Sequence, residues 1–210
     1  MEKDSSMIKV YGGVYSRASM VMCVLETLGL EYENIPMQPR SEATQSDEYR
    51  AINPTGKLPS LVDGDLVLWE SQAILFYLAR KYGNGELWVD TLEKEADLYR
   101  WSLFISNQIE VPALEMLLAI KYAQGEPDQA VIDHQAQILA RFLPVLESHL
   151  QGKEYLVADK LTVADFHGAA VLSWPKVAGF DLKAYPAINS WLSRILTLPV
   201  QKKVRSQASV

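Results

Sequence analysis

The first eighty residues alternate between the periodicity of strands and that of helices. Ile8 and Val10 flank Lys9 ahead of two glycines, which predicts a short strand that ends in a turn. An apolar stripe with helical spacing follows over residues 21–28, and Gly29 predicts the end of that helix. Residues 32–35 predict a second strand. This order predicts a β-α-β unit at the start of the chain.

A hairpin and a helix are predicted next. Two apolar runs, at residues 60–62 and 66–69, flank the turn sequence Asp63-Gly64-Asp65, and such a pattern is typical of a β-hairpin. Helical spacing begins again at Ser71 and ends near Gly83. Between the second strand and the hairpin the chain is polar, with weak helical character over residues 47–51.

Beyond residue 92 the strand patterns largely disappear. Helical spacing covers residues 93–122 and 128–150, and each segment contains a proline, Pro112 or Pro144, that predicts a kink. Further helices are predicted from residues 163 and 186. The pattern therefore predicts an α/β domain over residues 1–83, a linker over 84–92 and an all-α domain over 93–210.

Composition narrows the possible functions of the chain. Of its 210 residues, 49% are hydrophobic. Its 26 acidic side chains outnumber its 20 basic ones, which argues against a nucleic-acid-binding surface. No uninterrupted apolar run reaches the roughly 20 residues of a membrane span, so no membrane partner is expected. The start of the chain lacks the pattern of a signal peptide, and the single Cys23 suits a reducing compartment. We therefore expect a cytoplasmic globular protein.

Three motifs resemble those of the cytosolic glutathione transferases. They are NPTGKLPSLVDGDLVLWESQAILFYLARKYG at 53–83, LTVADF at 161–166 and YPAINSW at 185–191. The opening KVYGGVYSRASM is most similar to bacterial members, especially those of the cyanobacterial chi type. The resemblance implies a thioredoxin-like N-terminal domain plus an all-α C-terminal domain, glutathione as co-substrate, and a homodimer.

The resemblance also implies which residues hold glutathione. A cis Leu58-Pro59 bond would let the Leu58 backbone pair with the cysteinyl unit like an added strand. Glu70 would hold the ammonium of the γ-glutamyl group, and Ser71 with the free N–H groups of its helix would hold the carboxylate. Alternatively, Ser71 only caps the helix.

Several residues are candidates for binding the glycine carboxylate of glutathione. Lys57 is a candidate, although a lone lysine in a polar loop is usually only solvated. Many members of the family have a basic residue, often histidine, where this chain has Thr44 and Gln45. Gln38 or Arg40 could compensate for that departure.

The catalytic question is how the glutathione thiol is ionised. A free cysteine thiol has a pKa near 8.5, and lowering the pKa by about two units requires roughly 2.7 kcal/mol of differential stabilisation. A hydroxyl donor at a helix N-terminus provides such an effect. Between the first strand and helix Tyr15, Ser16 and Ser19 carry hydroxyls, and Arg17 could add positive potential. We favour Ser16, with Tyr15 as the alternative; a further alternative is that Ser16 only caps the helix.

Other groups with reactive or metal-binding side chains are assigned no chemistry. Cys23 falls within the first predicted helix, and no C-x-x-C motif is present. His134, His149 and His167 lack the spacing of metal ligands, so no metal is expected.

The helical domain is expected to supply the pocket for the second substrate. Apolar ligands favour aromatic walls with few polar groups, and the candidates are Tyr99, Phe104, Gln108, Tyr122 and Trp174. Aromatic residues at helical spacing are also typical of a core, and this alternative stays open for each. Thr162 and Asp165 have the spacing of a capping box, for which we expect a structural role.

The predicted function is conjugation of the glutathione thiolate to small hydrophobic electrophiles, a detoxification reaction. Two alternatives share the same sequence features. One is a non-catalytic binding or assembly module, and the other is a glutathione-dependent peroxidase or isomerase.

Overall fold

The structure, a computed structural model, describes residues 7–209, without the side chain of Ser209. The chain divides into two compact units. The first contains the chain up to Trp88 together with the chain from Leu198 onward, and the second is Val89–Thr197.

A four-stranded mixed sheet forms the centre of the first unit. Its strands are β1 (Ile8–Tyr11), β2 (Tyr32–Ile35), β3 (Ser60–Asp63) and β4 (Leu66–Trp69). In the order β2-β1-β3-β4, β1 is parallel to β2 and antiparallel to β3, and β3 is antiparallel to β4. Val10 and Leu61 are partners across the sheet and both are fully buried. The predicted β-α-β unit and hairpin are confirmed.

Five helices accompany this sheet. They are α1 (Ala18–Thr27), α2 (Glu42–Gln45), α3 (Asp47–Ile52), α4 (Ser71–Tyr82) and α10 (Pro199–Ser206), the last followed by a 3-10 turn at Gln207–Ser209. The predicted end of α1 is confirmed, because Gly29 has φ 64° and the Leu30 N–H donates to the Leu25 carbonyl at 3.0 Å. Helix α1 packs against both α4 and α10.

The C-terminal segment lies in the first unit, whereas the sequence division assigned it to the helical domain. In α10, Val204 is buried and Lys203 forms an ion pair with Glu26 of α1. The Gln207 amide also donates to the Glu26 carboxylate at 3.1 Å. A short polar helix with one apolar face gives no sign in the sequence of where it docks, and these contacts decide it.

The second unit is entirely helical. Its helices are α5 (Leu92–Phe104), α6 (Val111–Lys121), α7 (Gln129–Leu150), α8 (Val163–Val177) and α9 (Pro186–Leu196). A π-helical turn at Ile105–Glu110 joins α5 to α6 immediately before Pro112. The π turn accommodates Pro112, because a proline cannot donate the backbone hydrogen bond that a continuous α-helix needs at that position. Helix α7 continues through Pro144.

Helix α8 is the most deeply buried helix of this unit. The Asp165 carboxylate accepts hydrogen bonds at 2.8 Å from the N–H groups of Leu156 and Thr162 and from the indole of Trp191. The predicted capping box is therefore confirmed as structural. A Cβ at Gly168 would lie 2.8 Å from Ile105 Cδ1 and 3.0 Å from the Trp191 ring, so a larger residue here would require these side chains to shift.

The helix from Leu92 to Lys121 is unusually long and apolar. With a mean hydropathy of 1.4 in its most apolar window, it could cross a membrane by length and composition alone. Leu98, Ile105 and Ile109 are fully buried in the helical unit. Only 28% of that window is buried, and a single such helix is weak evidence for a membrane span, because core helices pass the same test.

Candidate active site

The turn between β1 and α1 places the Ser16 hydroxyl at the N-terminus of a helix. Ser16 Oγ donates to the Gly13 carbonyl at 2.8 Å and accepts from the Ala18 N–H at 3.1 Å. Ser19 Oγ donates to the Ser16 carbonyl at 2.9 Å, which closes the first turn of α1. Ser16 is half-buried and therefore remains partly accessible to a ligand. Its single hydrogen can be redirected from Gly13 to an incoming anion by rotation of the hydroxyl.

Gly12 brings this hydroxyl close to the loop that precedes β3. Its φ is 128°, and a Cβ at this position would lie 3.0 Å from Ser16 Oγ and 3.5 Å from Leu58 Cβ. The same Cβ would clash with Ala18 at 2.7 Å. The turn therefore requires glycine, and Ser16 Oγ and the Leu58 side chain flank the same point.

The other residues of the turn have different environments. The Tyr15 side chain is 69% exposed. Arg17 is the N-cap residue of α1 and makes no side-chain cap hydrogen bond there. Of the two hydroxyls that the sequence left as alternatives, only that of Ser16 bonds to the first turn of α1.

The Leu58-Pro59 bond is cis, as the resemblance implied. Leu58 is 8% exposed and immediately precedes Pro59 and β3. Within residues 7–209, neither the N–H nor the carbonyl of Leu58 forms a hydrogen bond. A backbone segment with unused donors and acceptors next to a sheet can pair with an extended peptide.

Glu70 and Ser71 lie at the junction of β4 and α4. Glu70 has φ 72° and ψ 113°, a conformation that costs a residue other than glycine on the order of 1–3 kcal/mol. Its side chain does not cap α4, and its carboxylate forms no ion pair with the residues that the structure describes. Ser71 is 8% exposed and is the first residue of α4. Ser71 is therefore not the N-cap, which disfavours the capping alternative.

The proposed glycine end of the site contains two neighbouring polar side chains. Lys57 is exposed, and Gln45 Nε2 lies 3.5 Å from the carbonyl of the adjacent Gly56. Thr44 is buried and its hydroxyl donates to the Ser41 carbonyl at 2.8 Å, so Thr44 has a structural role in α2. Gln38 and Arg40 are both exposed in the preceding loop, where Arg40 has φ 62°.

The side chains that support the loop between α3 and β3, which contains Lys57, were not predicted from the sequence. Tyr49 and Asn53 are 3% and 2% exposed, and both donate to the Lys57 carbonyl, at 2.7 and 2.8 Å. Two hints of these side chains are present in the sequence: Asn53 begins the motif at 53–83, and Tyr49 lies in the weakly helical polar segment at 47–51. Neither pattern indicates that the two side chains converge on one carbonyl.

The residues proposed for the second substrate lie in the helical unit in different environments. Phe104 packs edge-on against Trp101 and Phe142, with ring centroids 5.4 and 6.3 Å apart, which places it in an aromatic core cluster. Tyr99 is 38% exposed on the outer face of α5. Gln108 in the π turn and Trp174 in α8 are half-buried, and Tyr122 is exposed at the end of α6.

Cys23, His149 and His167, to which the sequence analysis assigned no chemistry, are buried or make contacts with neighbouring side chains. Burial raises the pKa of Cys23 to about 12, against a smaller opposing effect of Arg205. His149 stacks on Trp101, and His167 bonds to Glu110 at 3.0 Å. Among residues 7–209, no three His, Cys, Asp or Glu side chains form a group that could hold a metal ion.

Comparisons with known proteins cover almost the whole chain. The family model for the glutathione S-transferase N-terminal domain matches residues 6–80, and the model for the C-terminal domain matches residues 98–199. Glutathione S-transferase 3 of Zea mays is 33% identical over 204 residues, which cover 93% of this chain and 92% of the maize protein.

Solved structures are similar over the same extent. Glutathione S-transferase-I bound with lactoylglutathione is 32% identical with a TM-score of 0.83, covering 96% of this chain and 99% of that chain. Glutathione transferase F7 of Populus trichocarpa is 25% identical with a TM-score of 0.88, covering 97% and 100%. The thioredoxin-like and all-α architecture that the resemblance implied is confirmed.

Proposed function

Because the chain belongs to the glutathione S-transferase family and is a glutathione-conjugating enzyme, we propose that Ser16 stabilises the glutathione thiolate. The observation that carries the proposal is the position of Ser16 Oγ. It bonds to the first turn of α1 and lies beside Leu58, where the cysteinyl unit would bind.

The positions of the other polar groups support a complete glutathione site. The Leu58 backbone would pair with the cysteinyl unit, and Pro59 would hold that segment in its extended course. At the γ-glutamyl end the carboxylate would bind Ser71 and the N-terminus of α4, while Glu70 pairs with the ammonium. The strained backbone of Glu70 supports a binding role, since such strain concentrates at ligand sites. Lys57 would pair with the glycine carboxylate.

The reaction begins with ionisation of the bound thiol. The thiol proton passes to solvent, and the Ser16 O–H exchanges its bond to Gly13 for one to the sulfur anion. The positive end of α1 and Arg17 favour the same charge. With an activated aryl chloride, the sulfur–carbon bond forms and chloride leaves. With an isothiocyanate or enal, the sulfur adds to carbon and the product takes up a proton.

The electrophile would bind against side chains of the helical unit. We propose Tyr99, Phe104, Gln108 and Trp174 for this role, since they combine aromatic surface with a few polar groups. The half-buried positions of Gln108 and Trp174 support the proposal most directly, because each leaves some surface accessible to a ligand. A small hydrophobic electrophile suits such surroundings.

A homodimer is also part of the proposal. Exposed apolar residues form a stripe along α5 and α6, and others lie on the edge strand β4. The stripe residues are Leu92, Leu103 and Val111, and the β4 residues are Leu66, Val67 and Trp69. Exposed apolar edge strands promote association unless they are covered, so a second copy of the chain is a fitting partner for these surfaces.

Two finer assignments complete the proposal. A cytoplasmic location is supported by the single cysteine, which suits a reducing compartment. A bacterial, chi-type subclass is supported by the opening KVYGGVYSRASM at residues 9–20.

The experiment compares Ser16→Ala with Tyr15→Phe in assays with glutathione and either a chlorinated nitroarene or an isothiocyanate. If Ser16 lowers the thiol pKa by about two units, its loss reduces kcat/KM about 10- to 100-fold at neutral pH. Tyr15→Phe should retain activity within about two-fold, as expected for a surface change. Equal activity of the two variants would overturn the assignment of Ser16.

A further inference from the structure

A closed ring of buried and partly buried hydrogen bonds supports the loop that precedes β3. We call it the polar box; its members are the side chains of Tyr49, Asn53 and Ser60 and the carbonyl of Lys57. Tyr49 Oη donates to the Lys57 carbonyl at 2.7 Å, and Asn53 Nδ2 donates to the same oxygen at 2.8 Å. Asn53 Nδ2 also donates to Ser60 Oγ at 3.2 Å, and Ser60 Oγ lies 2.9 Å from Tyr49 Oη.

The direction of every bond in the polar box is determined. Tyr49 has one hydroxyl hydrogen, which goes to Lys57, so Ser60 donates to Tyr49 and accepts from Asn53. The remaining Asn53 oxygen accepts from the N–H and the hydroxyl of Thr55, at 3.1 and 2.7 Å. Each member therefore restricts the others, and the Lys57 carbonyl has two buried donors.

The Tyr49 ring is itself held in place. It is 3% exposed and packs against Tyr11 of β1, with ring centroids 5.8 Å apart. Burial raises the pKa of Tyr49, so the phenol stays protonated and keeps its donor. The hydroxyl thus has a fixed position relative to the sheet.

The two donors on Lys57 also determine where the next N–H points. The carbonyl of one residue and the N–H of the next belong to a single planar peptide group and, when it is trans, point in opposite directions. Because the Lys57 carbonyl points into the polar box, the Leu58 N–H points away from it. That N–H has no partner among the described residues, and the Leu58 side chain and Ser16 Oγ flank the same point beside Gly12.

We infer that Tyr49 is a positioning residue for glutathione, which orients the Leu58 N–H toward the cysteinyl unit by anchoring the Lys57 carbonyl. The inference rests on the proposed function, since it concerns the same site. Tyr49 does not touch glutathione, and its effect passes through one peptide group.

Tyr49→Phe tests the inference, because it removes the hydroxyl and keeps the ring. One hydrogen bond from a neutral donor changes an equilibrium by about 2- to 12-fold, so the Kd of S-methylglutathione and the KM for glutathione should rise about 3- to 10-fold. The kcat at saturating glutathione and its pH profile should stay within about two-fold, because Ser16 is unchanged. Calorimetry measures the Kd, and steady-state kinetics measures the rest.

Tyr82→Phe is the matched control. Tyr82 also donates a phenolic hydrogen bond, to Asp63 at 2.6 Å, but away from Leu58. It should leave the Kd and KM unchanged. The inference is overturned if Tyr49→Phe binds S-methylglutathione as tightly as the wild type does, or if both variants weaken binding equally. Failure of the wild type to bind S-methylglutathione would instead contradict the proposed function.

Hydrogen exchange on the wild-type protein gives a test that does not depend on a variant folding. Addition of S-methylglutathione should slow exchange of the Leu58 amide at least about tenfold, since a new hydrogen bond protects it. Unchanged exchange of this amide at saturating ligand would overturn the inference.

Discussion

At the scale of single residues, position decides which polar side chains of the first unit can take part in chemistry. Ser16 lies half-buried in a turn at the start of α1, whereas Cys23 is 1% exposed in the middle of the same helix. Burial raises the pKa of Cys23 to about 12, so its thiol is neutral at physiological pH. A thiolate is the nucleophilic form, and the reactive sulfur must therefore come from bound glutathione.

This environment predicts an inert cysteine. In the native protein Cys23 should react with a thiol reagent far more slowly than after denaturation in urea. Cys23→Ala should retain kcat/KM within about two-fold, because no substrate contacts the side chain. Rapid modification of the native protein with loss of activity would contradict this account.

At the scale of elements, one carboxylate ties the hairpin to the C-terminal end of α4. Asp63 accepts from the hydroxyls of Tyr77 and Tyr82 at 2.6 Å and from Lys81 at 2.8 Å. Burial of Asp63 opposes its ionisation, but these three hydrogen bonds outweigh that effect and lower the pKa of Asp63. The anchor therefore stabilises the packing of the C-terminal end of α4 against the hairpin.

Asp63→Asn should therefore destabilise the protein in a pH-dependent way. A lowered pKa in the folded state stabilises the protein above the unfolded-state pKa of about 4, and this contribution is lost as the pH falls through the folded-state value. At pH near 7 the variant should lose about 1–3 kcal/mol of unfolding free energy, and the difference should shrink as the pH falls below about 4 and through the lowered folded-state pKa. Urea unfolding across this pH range measures it.

Asp65→Asn provides the control within the same hairpin. Asp65 is exposed in the turn, so its replacement should change the unfolding free energy by less than about 0.5 kcal/mol. Equal losses of unfolding free energy in the two variants, or a loss in Asp63→Asn that does not depend on pH, would contradict a stabilising role of the Asp63 carboxylate.

Local patterns in the sequence were sufficient to predict some elements of the fold, whereas other elements depend on contacts between distant segments. The Asp63-Gly64 turn and Gly29 predict the hairpin and the end of α1, because their backbone conformations depend on neighbouring residues. The π turn before Pro112 and the docking of α10 depend on packing between distant segments. For the same reason the polar box was missed: Tyr49 and Asn53 are polar side chains whose burial only the fold reveals.

At the scale of the whole molecule, the two units have different tasks in the proposed reaction. The first unit carries every residue assigned to glutathione, and the helical unit carries those assigned to the electrophile. The glutathione residues are predicted from a resemblance in motif. The electrophile residues follow no motif, because apolar pocket walls have the same periodicity as a core.

The exposed apolar stripe predicts a dimer of twice the 23.6 kDa chain mass. Leu103→Glu, on α5 with 54% exposure, should shift the protein toward the monomer in sedimentation equilibrium, since a buried unpaired charge disfavours the interface. Val145→Glu is the matched control, because Val145 is 50% exposed on α7, outside the stripe and β4. A monomeric wild type, or equal dissociation of both variants, would contradict the prediction.

The central claim is that Ser16 stabilises the thiolate of bound glutathione, and a pH titration of that thiolate tests it most directly. Its ultraviolet absorbance is followed in the wild type, Ser16→Ala and Tyr15→Phe, each saturated with glutathione. The wild type and Tyr15→Phe should titrate about two units below the free thiol value of roughly 8.5, and Ser16→Ala should titrate close to that value. An unchanged midpoint in Ser16→Ala would contradict the account.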